Sequence, residues 1–245
     1  MKLKIQKKSV SLVFPLYKDK KTVKKMIHNS LNILKKVTRN YEIIAIDDGC
    51  PQKSGEIVKK FSRINKRIKV YFHRTNIGYG AAIKTGFKKS KCECIFAIDG
   101  DGEYDVNVLP HLLEKLKNSD LVITRRFKKK YSTWRNIVSW TYNALLRFLF
   151  KIPYRDISSG SRLVTKKLIK KIKIDTNSPF LGAELTIKAN YKGYKVNEYG
   201  IYYYPTTFRS GSSVSLMNIV LTIRDMINLY LKICLKKKNF NFRTK

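Results

Sequence analysis

Short apolar runs alternate with stretches of helical apolar spacing through the first half of the chain. The runs predict five β-strands, at residues 10–16, 41–46, 68–72, 94–98 and 121–123. Between them apolar residues recur every three or four positions, as at Val23, Met26, Ile27, Leu31 and Leu34. This order predicts an α/β fold in which a mainly parallel sheet carries helices on both faces.

The second half of the chain has a less regular pattern. It predicts an aromatic-rich amphipathic helix at 134–150, a turn of small residues at 158–162, a helix at 183–191, a strand at 195–204 and a long helix at 215–235. We expect one domain over residues 1–214, followed by a C-terminal amphipathic helix and basic tail at 215–245.

The charge of the chain narrows the choice of partners. Lysine and arginine number 52 against 17 acidic residues, which gives a formal net charge of +35. So basic a surface favours anionic partners such as nucleic acid, anionic lipid or phosphorylated substrates. Lysines that are merely solvated would give the same composition, so charge alone does not choose among these partners.

Cysteine use and hydropathy bear on where the protein works. Cys50, Cys92, Cys94 and Cys234 do not have the spacing of a zinc site and are typical of free thiols in a reducing cytoplasm. The lysine-rich start does not resemble a signal peptide, and no run of about 18 uncharged apolar residues is present. We therefore expect a cytoplasmic protein without a membrane span.

Polar side chains follow the ends of all five predicted strands. They are Tyr17, Asp19, Asp47, Asp48, Asn76, Asp99, Asp101, Arg125 and Arg126. Ligands of parallel sheets bind beyond the carboxyl ends of the strands, so we expect these side chains to meet at one edge. The three histidines, His28, His73 and His111, lie in no motif and are interpreted as ordinary surface or core-edge residues.

Two acidic motifs follow strands directly. In Asp99-Gly100-Asp101, two carboxylates separated by one small residue offer hard oxygen ligands that suit Mg²⁺ or Mn²⁺ bridging to substrate phosphates. Asp47 and Asp48 end another strand, where a carboxylate can accept hydrogen bonds from a base or a ribose. Each motif taken alone also fits an ordinary polar turn.

A glycine-rich turn opens the helix after the third strand. Asn76, Gly78 and Gly80 alternate with other residues there. Glycine lets the backbone approach a ligand, and a helix N-terminus favours anions. The turn lacks the Lys-Ser/Thr pair of the NTPase phosphate loop, so it is not identified with that class of site.

In their order along the chain, the motifs resemble family 2 glycosyltransferases. The matching segments are FPLYKD, EIIAIDDG, NIGYGAAIKTGF, FAIDGDGEYD, SSGSR and FRSGSS, over roughly residues 9–215. They are most similar to the dolichyl-phosphate mannose synthase group, which includes bacterial polyprenyl-phosphate glycosyltransferases. The resemblance implies a GT-A (Rossmann-like) fold and a metal-dependent, inverting transfer of a hexose. The donor would be a nucleotide-sugar of the GDP-mannose or UDP-glucose type, and the acceptor a polyprenyl or dolichyl phosphate.

The resemblance also implies roles for single residues. Those implied in binding the nucleotide-sugar are Pro15, Tyr17, Asp19, Asp47, Asp48, Asn76, Gly80, Asp99 and Arg209. Those implied in holding Mg²⁺ or Mn²⁺ are Asp99, Asp101 and Glu103, the last where the family commonly has Gln. Those implied in catalysis are Asp101, Arg125 and Arg126, with either arginine approaching the sugar or the acceptor phosphate. Glu184 joins the catalytic candidates on chemical grounds, as a base for a sugar-hydroxyl acceptor. The lysine that often follows the diphosphate-clamping arginine is replaced here by Ser212-Ser213-Val214.

Two acceptors stay open at this point. A lipid phosphate is already anionic and needs little help from a general base, so positioning and stabilisation of the leaving diphosphate would suffice. A sugar hydroxyl of a surface glycan would need a carboxylate base, for which Glu184 and Asp156 are candidates. Glu184 fits a helix residue paired with a surface lysine equally well.

The C-terminal helix bears on the partner. It either packs in the core or lies in a membrane interface, with Lys236, Lys237 and Lys238 attracted to anionic lipid. We expect the second role, with peripheral binding at the cytoplasmic face of the membrane. A basic nucleic-acid-binding protein is the distant alternative, but the chain shows no zinc finger, basic zipper or RNA-recognition signature. We therefore expect no nucleic-acid partner, and the pattern indicates no oligomeric state.

Overall fold

The computed structural model describes residues 7–127, 133–203 and 216–241. Its strands are β1 (Val10–Leu16), β2 (Tyr41–Asp48), β3 (Ile68–His73), β4 (Cys94–Ala97), β5 (Leu121–Phe127), β6 (Arg162–Thr165) and β7 (Val196–Tyr202). Its α-helices are α1 (Val23–Val37), α2 (Ser54–Ile64), α3 (Tyr79–Lys89), α4 (Leu109–Lys115), α5 (Thr133–Phe150), α6 (Lys166–Lys171), α7 (Leu181–Tyr191) and α8 (Leu216–Asn241). Short 3₁₀ turns, Val106–Val108 and Leu116–Asn118, flank α4.

The strands form one seven-stranded sheet in the order β3-β2-β1-β4-β6-β5-β7. β1 pairs in parallel with β2 and β4, and β2 pairs in parallel with β3. β6 is antiparallel to both β4 and β5, so β5 runs in the same direction as β4. The carboxyl ends of β1 to β5 therefore lie at one edge of the sheet, and the prediction of a mainly parallel sheet is confirmed.

Both faces of the sheet are covered by helices, as predicted. Leu12 and Phe14 of β1 pack on the side of α1, α2 and α4, whereas Val13 packs on the side of α3, α6 and α7. All eight residues of β2 are buried. Strands of this kind are buried on both faces, which is why they appear in the sequence as continuous apolar runs.

The sequence pattern did not predict β6 or α6. β6 has four residues and begins with the charged Arg162, and α6 is a six-residue KKLIKK segment. Each of these two segments contains only two apolar residues, too few to reveal a strand or helix period. β6 nevertheless matters for the site, because it separates β4 from β5 at the ligand-binding edge.

A third hydrophobic cluster joins α5, α7 and α8. It includes Leu146 and Phe150 of α5, Ala183 of α7, and Met226 and Leu229 of α8. The long C-terminal helix thus packs by one side against the rest of the chain. Within the described residues, none of the helices combines the length and hydropathy needed to cross a bilayer. The expected boundary between residues 214 and 215 stays a prediction.

Candidate active site

The acidic motifs meet at the carboxyl edge of β2, β1 and β4, which are neighbours in the sheet. Asp48 ends β2, Asp19 follows β1, and Asp99 and Asp101 follow β4. We call these four residues the acidic rim. The turn after β1 touches the loop after β4, because the Thr22 hydroxyl donates to the carbonyl oxygen of Gly100 at 3.3 Å.

The turn after β1 is held by Asp19. Its Oδ2 accepts a hydrogen bond from the backbone N–H of Tyr17 at 2.9 Å, and its carbonyl oxygen accepts from Val23 at the start of α1. Asp19 is buried, whereas 36% of Tyr17 is exposed. Pro15 lies half-buried near the end of β1. The turn thus presents an accessible aromatic ring at the edge where a nucleotide base was expected to stack.

Asp47 and Asp48 are neighbours in sequence but have different partners. Asp47 accepts the backbone N–H groups of Cys50 at 2.7 Å and Gly55 at 2.6 Å, one on each oxygen. It therefore stabilises the turn into α2. The donor-binding role expected for Asp47 stays a prediction.

Asp48 stabilises a different turn. Its Oδ1 accepts from the backbone N–H of Ile77 at 3.1 Å and lies 2.7 Å from Nδ1 of His73, and its Oδ2 accepts from Gly78 at 2.9 Å. This network ties the end of β2 to the end of β3 and to the glycine-rich turn. His73 is therefore part of the site, although no motif in the sequence had indicated it.

The glycine in the acidic turn after β2 is required by close packing. Gly49 has φ +62°, and a Cβ there would lie 2.5 Å from the backbone nitrogen of Asn76. Only glycine adopts this conformation readily and leaves that space. The packing brings the backbone of Asn76 against the turn that follows Asp48. Gly80 donates its N–H to the carbonyl oxygen of Asn177 at 2.9 Å, so this amide is already used within the protein.

Hydrogen bonds and close packing hold Asp99 and Asp101 in place. The hydroxyl of Tyr79 hydrogen-bonds to Asp99, and burial together with the negative charge of Asp99 raises the pKa of Tyr79 well above its usual value. Tyr79 therefore stays protonated and donates to the carboxylate. A Cβ at Gly160 would overlap the Asp99 carboxylate, which explains the glycine of the SSGSR segment. Asp101 is 3% exposed, and its Oδ1 accepts from the N–H of Glu103 at 3.0 Å.

The expected role of Glu103 as a third metal ligand stays a prediction. Its carboxylate accepts a hydrogen bond from the hydroxyl of Tyr203. In the part of the chain that the structure describes, no three His, Cys, Asp or Glu side chains are grouped to hold a metal. Mg²⁺, however, usually takes only one or two carboxylates and completes its shell with water and substrate phosphates. The Asp99–Asp101 pair fits that kind of site.

A second site begins at the end of β5. Arg126 forms a two-point ion pair with Asp156, with Nε and one terminal nitrogen each 2.7 Å from a carboxylate oxygen. Arg126 lies at a groove of about 600 Å³, and the lining residues are Arg126, Asn136, Ser139, Trp140, Asn143, Arg147 and Arg155. We call this the arginine groove. Arg125 does not line it, because its guanidinium lies 4.3 Å from the ring centroid of Phe127.

Most of the arginine groove was not predicted from the sequence. Asn136, Ser139, Asn143 and Arg147 recur at intervals of three and four along α5, so they form a polar stripe on an otherwise aromatic-rich helix. That stripe is the signal that would have indicated the groove, because residues at this spacing share one side of a helix. Arg155 is contributed by the loop that follows.

An aromatic side chain joins the acidic rim to the arginine groove. The hydroxyl of Tyr203 donates to Glu103, and the guanidinium of Arg126 lies 5.6 Å from the centre of the Tyr203 ring. Tyr104 packs edge-on against Tyr203 at 5.1 Å and accepts from the N–H of Gly160 at 2.8 Å. The two sites are therefore neighbours within one hydrogen-bonded and aromatic network.

Glu184, which was expected to act in catalysis, is buried beside the loop that precedes α7. Glu184 is 2% exposed, and its oxygens accept from the N–H groups of Asp175 and Thr176 and from Nζ of Lys188. These contacts assign it to holding the loop before α7 and leave no carboxylate oxygen positioned as a base. Arg209, the expected diphosphate clamp, lies outside the described residues, as does the whole FRSGSS segment.

Comparison with known proteins shows which proteins this chain is similar to. An undecaprenyl-phosphate 4-deoxy-4-formamido-L-arabinose transferase of Photorhabdus laumondii is 31% identical over 144 residues, which are 58% of this chain and 44% of that protein. A dolichol-phosphate mannosyltransferase of Pyrococcus furiosus is 27% identical over 192 residues, 74% of this chain and 53% of its own. The chain thus spans about half the length of these curated relatives, or less.

Solved structures and a family model complete the comparison. A glucosyl-3-phosphoglycerate synthase from Mycobacterium tuberculosis, crystallised with Mn²⁺, UDP and phosphoglyceric acid, superimposes with a TM-score of 0.70 at 15% identity, covering 93% of this chain and 78% of that one. This likeness confirms the GT-A-like fold. The model named Glycosyl transferase family 2 matches residues 11–173, more than half of the chain. This protein therefore belongs to glycosyl transferase family 2.

Proposed function

We propose that this protein transfers a hexose from a nucleotide-sugar to a polyprenyl phosphate at a membrane surface. The observation that carries the proposal is the connection between the acidic rim and the arginine groove: the N–H of Glu103 donates to Asp101, and the Glu103 carboxylate accepts from Tyr203, whose ring lies 5.6 Å from the Arg126 guanidinium. The first site suits a metal-bound diphosphate, and the second suits a free phosphate. A transferase that joins two phosphate-bearing substrates needs both kinds of site side by side.

The acidic rim would hold the donor. Asp99 and Asp101 would bind Mg²⁺ or Mn²⁺ together with the diphosphate oxygens, and Tyr17, Asp19 and Asp48 would hold the base and ribose. A bound divalent ion supplies positive charge that stabilises the departing diphosphate. Arg209 would be a second source of that positive charge. The hydrogen bonds that fix Asp19, Asp48 and Asp101 mean that little reorganisation is needed when the donor binds.

The arginine groove would hold the acceptor phosphate. Arg126 is kept in one orientation by Asp156, and Arg147 and Arg155 add positive charge to the same groove. Arginine presents a planar fork of N–H donors that matches a phosphate group. A phosphate bound there is already an anionic nucleophile, so the protein needs only to align it behind the anomeric carbon.

The same geometry weighs against a sugar hydroxyl as acceptor. That reaction needs a carboxylate base, and the two candidates were Glu184 and Asp156. Glu184 is committed to the loop before α7, and Asp156 is paired with Arg126 at two points. The relatives named as undecaprenyl-phosphate and dolichol-phosphate transferases support the lipid phosphate as well.

The outer sides of α5 and α8 support a peripheral location on the membrane, at its cytoplasmic face. Both helices expose large apolar side chains: Ile137, Val138, Trp140, Leu145 and Phe148 on α5, and Leu216, Met217, Ile219, Val220, Ile223, Ile227 and Leu231 on α8. We call these residues the α5–α8 face. Trp140 also lines the arginine groove, so the face borders the proposed phosphate site. The net charge of +35 favours anionic lipid, and we assign it to that partner rather than to nucleic acid.

A panel of nucleotide-sugars tests the proposal. Each is screened with Mg²⁺ or Mn²⁺ for thermal stabilisation, and those that bind are then assayed for sugar transfer. The acceptors are undecaprenyl phosphate, dolichyl phosphate and a saccharide series. The proposal expects metal-dependent transfer to a lipid phosphate. Transfer to saccharides alone, or transfer unaffected by EDTA, would contradict it.

A further inference from the structure

His73 occupies a position that links three elements of the donor side. It is the last residue of β3 and lies beside Asp48 in the register of the sheet. Its Nδ1 lies 2.7 Å from Oδ1 of Asp48, and its Nε2 lies 2.9 Å from the hydroxyl of Thr85 on α3. Because a carboxylate only accepts, Nδ1 carries the proton and donates. Its side chain is 13% exposed, so the pair is largely shielded from water.

The hydrogen bonds of Asp48 show why such a partner matters. An ionised carboxylate has about four acceptor positions. Three are used by His73 and by the N–H groups of Ile77 and Gly78, and the remaining one belongs to Oδ2. The terminal torsion of an aspartate is broad, so contacts at its oxygens decide where this last position points. Two of those contacts come from an irregular turn, whereas His73 is fixed on a strand.

Thr85 makes this arrangement rigid. A threonine hydroxyl both donates and accepts, so it satisfies Nε2 of His73 whether or not that nitrogen carries a proton. The imidazole ring is thus held at both nitrogens, by a residue of β2 and by a residue of α3. A ring held at both ends restricts the rotation of the carboxylate it contacts.

We propose that His73 is a positioning residue for the donor nucleotide. It fixes Asp48 so that the one remaining acceptor position of the carboxylate meets a donor group of the base or ribose. The inference rests on the proposed function, because it takes the nucleotide to be the ligand of Asp48. His73 touches neither the sugar nor the diphosphate in this account, and its effect is transmitted entirely through Asp48.

Four substitutions test the role, with UDP and GDP as ligands in the presence of Mn²⁺. His73→Asn retains an N–H near the position of Nδ1 and so retains the contact with Asp48. His73→Gln instead reaches toward Thr85, and His73→Ala removes both contacts. Thr85→Val removes only the outer partner. His111→Asn serves as the matched control, because that histidine stacks on Tyr199 instead.

Calorimetry on the folded variants measures their affinity for each nucleotide. His73→Ala and His73→Gln should weaken the better-bound nucleotide about tenfold, since a hydrogen bond to a charged group is lost. Thr85→Val should weaken it about threefold, and His73→Asn should restore affinity to within about threefold of the wild type. In turnover, KM for the nucleotide-sugar should rise with little change in kcat.

Two results would overturn the inference, and they differ from failure of the proposed function. If wild type binds nucleotide and His73→Ala and His73→Gln bind it equally well, His73 has no positioning role. If all three His73 variants lose thermal stability to the same extent and keep their nucleotide affinity, its role is purely structural. If wild type binds neither nucleotide, the proposed function itself fails and takes this inference with it.

Discussion

The acidic rim and the arginine groove are built in different ways. The rim consists of carboxylates at strand ends, and Asp19, Asp48 and Asp101 are each fixed by backbone N–H groups a few residues away or in the adjoining turn. The groove is assembled from side chains of α5, the end of β5 and the loop at 155–156, and Arg126 is fixed by another side chain. A site held by backbone contacts tolerates changes in distant packing. A site held by pairs of side chains depends on that packing to keep each pair together.

The largest effect is expected at the rim. Asp101→Asn keeps the size of the side chain and its contact with Glu103 but removes the charge that would bind a divalent ion. We expect kcat/KM for sugar transfer to fall about 100-fold or more, because the charge on the leaving diphosphate loses its stabilisation. The measurement is transfer of labelled sugar to polyprenyl phosphate with saturating Mn²⁺. Full activity would show that this carboxylate does not serve the metal.

The groove should respond differently from the rim. Arg126→Ala should raise KM for polyprenyl phosphate tenfold or more and leave nucleotide affinity unchanged, since one charged hydrogen-bonding partner of the phosphate is lost. Arg126→Lys should recover only part of the loss, because lysine lacks the planar fork. Initial rates with varied acceptor and varied donor separate the two constants.

A matched control stands next to Arg126 on the same strand. Arg125 packs on Phe127, and Arg125→Ala should change acceptor KM less than threefold. The double variant Arg126→Ala with Asp156→Asn also removes the buried negative charge that loses its guanidinium partner in the single variant. An effect of Arg125→Ala larger than that of Arg126→Ala would reverse the assignment of the two arginines.

The α5–α8 face offers a test of the membrane side of the groove. Phe148 is 80% exposed and Trp140 is 69% exposed, so replacing either with glutamate costs the fold little. We expect binding to anionic vesicles to fall about tenfold for each, through lost burial and added repulsion. Ile64→Glu is the control, because Ile64 is 88% exposed at the end of α2, which is neither of the two helices of this face. Vesicle sedimentation measures the binding. An equal loss of vesicle binding in all three variants would show that the α5–α8 face is not the membrane-binding surface.

The smallest effect is expected at the opposite end of the sheet, where Glu42 is buried. Burial raises the pKa of Glu42, but the hydrogen bonds from Lys69, Lys91 and Ser11 outweigh it, and the net pKa is lowered. Because the folded pKa lies below the unfolded one, this stabilisation is present above about pH 4.3 and is lost as the pH falls further. Glu42→Gln should lower stability by about 1 kcal/mol at neutral pH and flatten its acid dependence. Denaturant unfolding at pH 7 and pH 4 measures the free energy of unfolding and its change with pH. If Glu42→Gln changes the free energy between the two pH values as much as the wild type does, the pairing of Glu42 is contradicted.

The sequence predicted the acidic rim better than the arginine groove. The strand ends of the rim were predictable, because an acidic residue directly after an apolar run reports on local structure alone. The hydrogen bond between Glu103 and Tyr203 was not predictable, because Tyr203 lies 100 residues away and no local pattern reveals it. His73 was missed for the same reason, since its partners lie on β2 and α3. The groove was missed because its polar stripe lies within a helix that was interpreted only for its aromatic residues.

The central claim is that the acidic rim binds a divalent ion and a nucleoside diphosphate together. The most direct test is calorimetric binding of UDP and GDP to the wild type and to Asp101→Asn, each with Mn²⁺ and with EDTA. We predict that Mn²⁺ tightens binding of one nucleotide to the wild type at least tenfold, and that Asp101→Asn abolishes this gain. Equal affinity with and without Mn²⁺, or a metal effect that survives in Asp101→Asn, would contradict it.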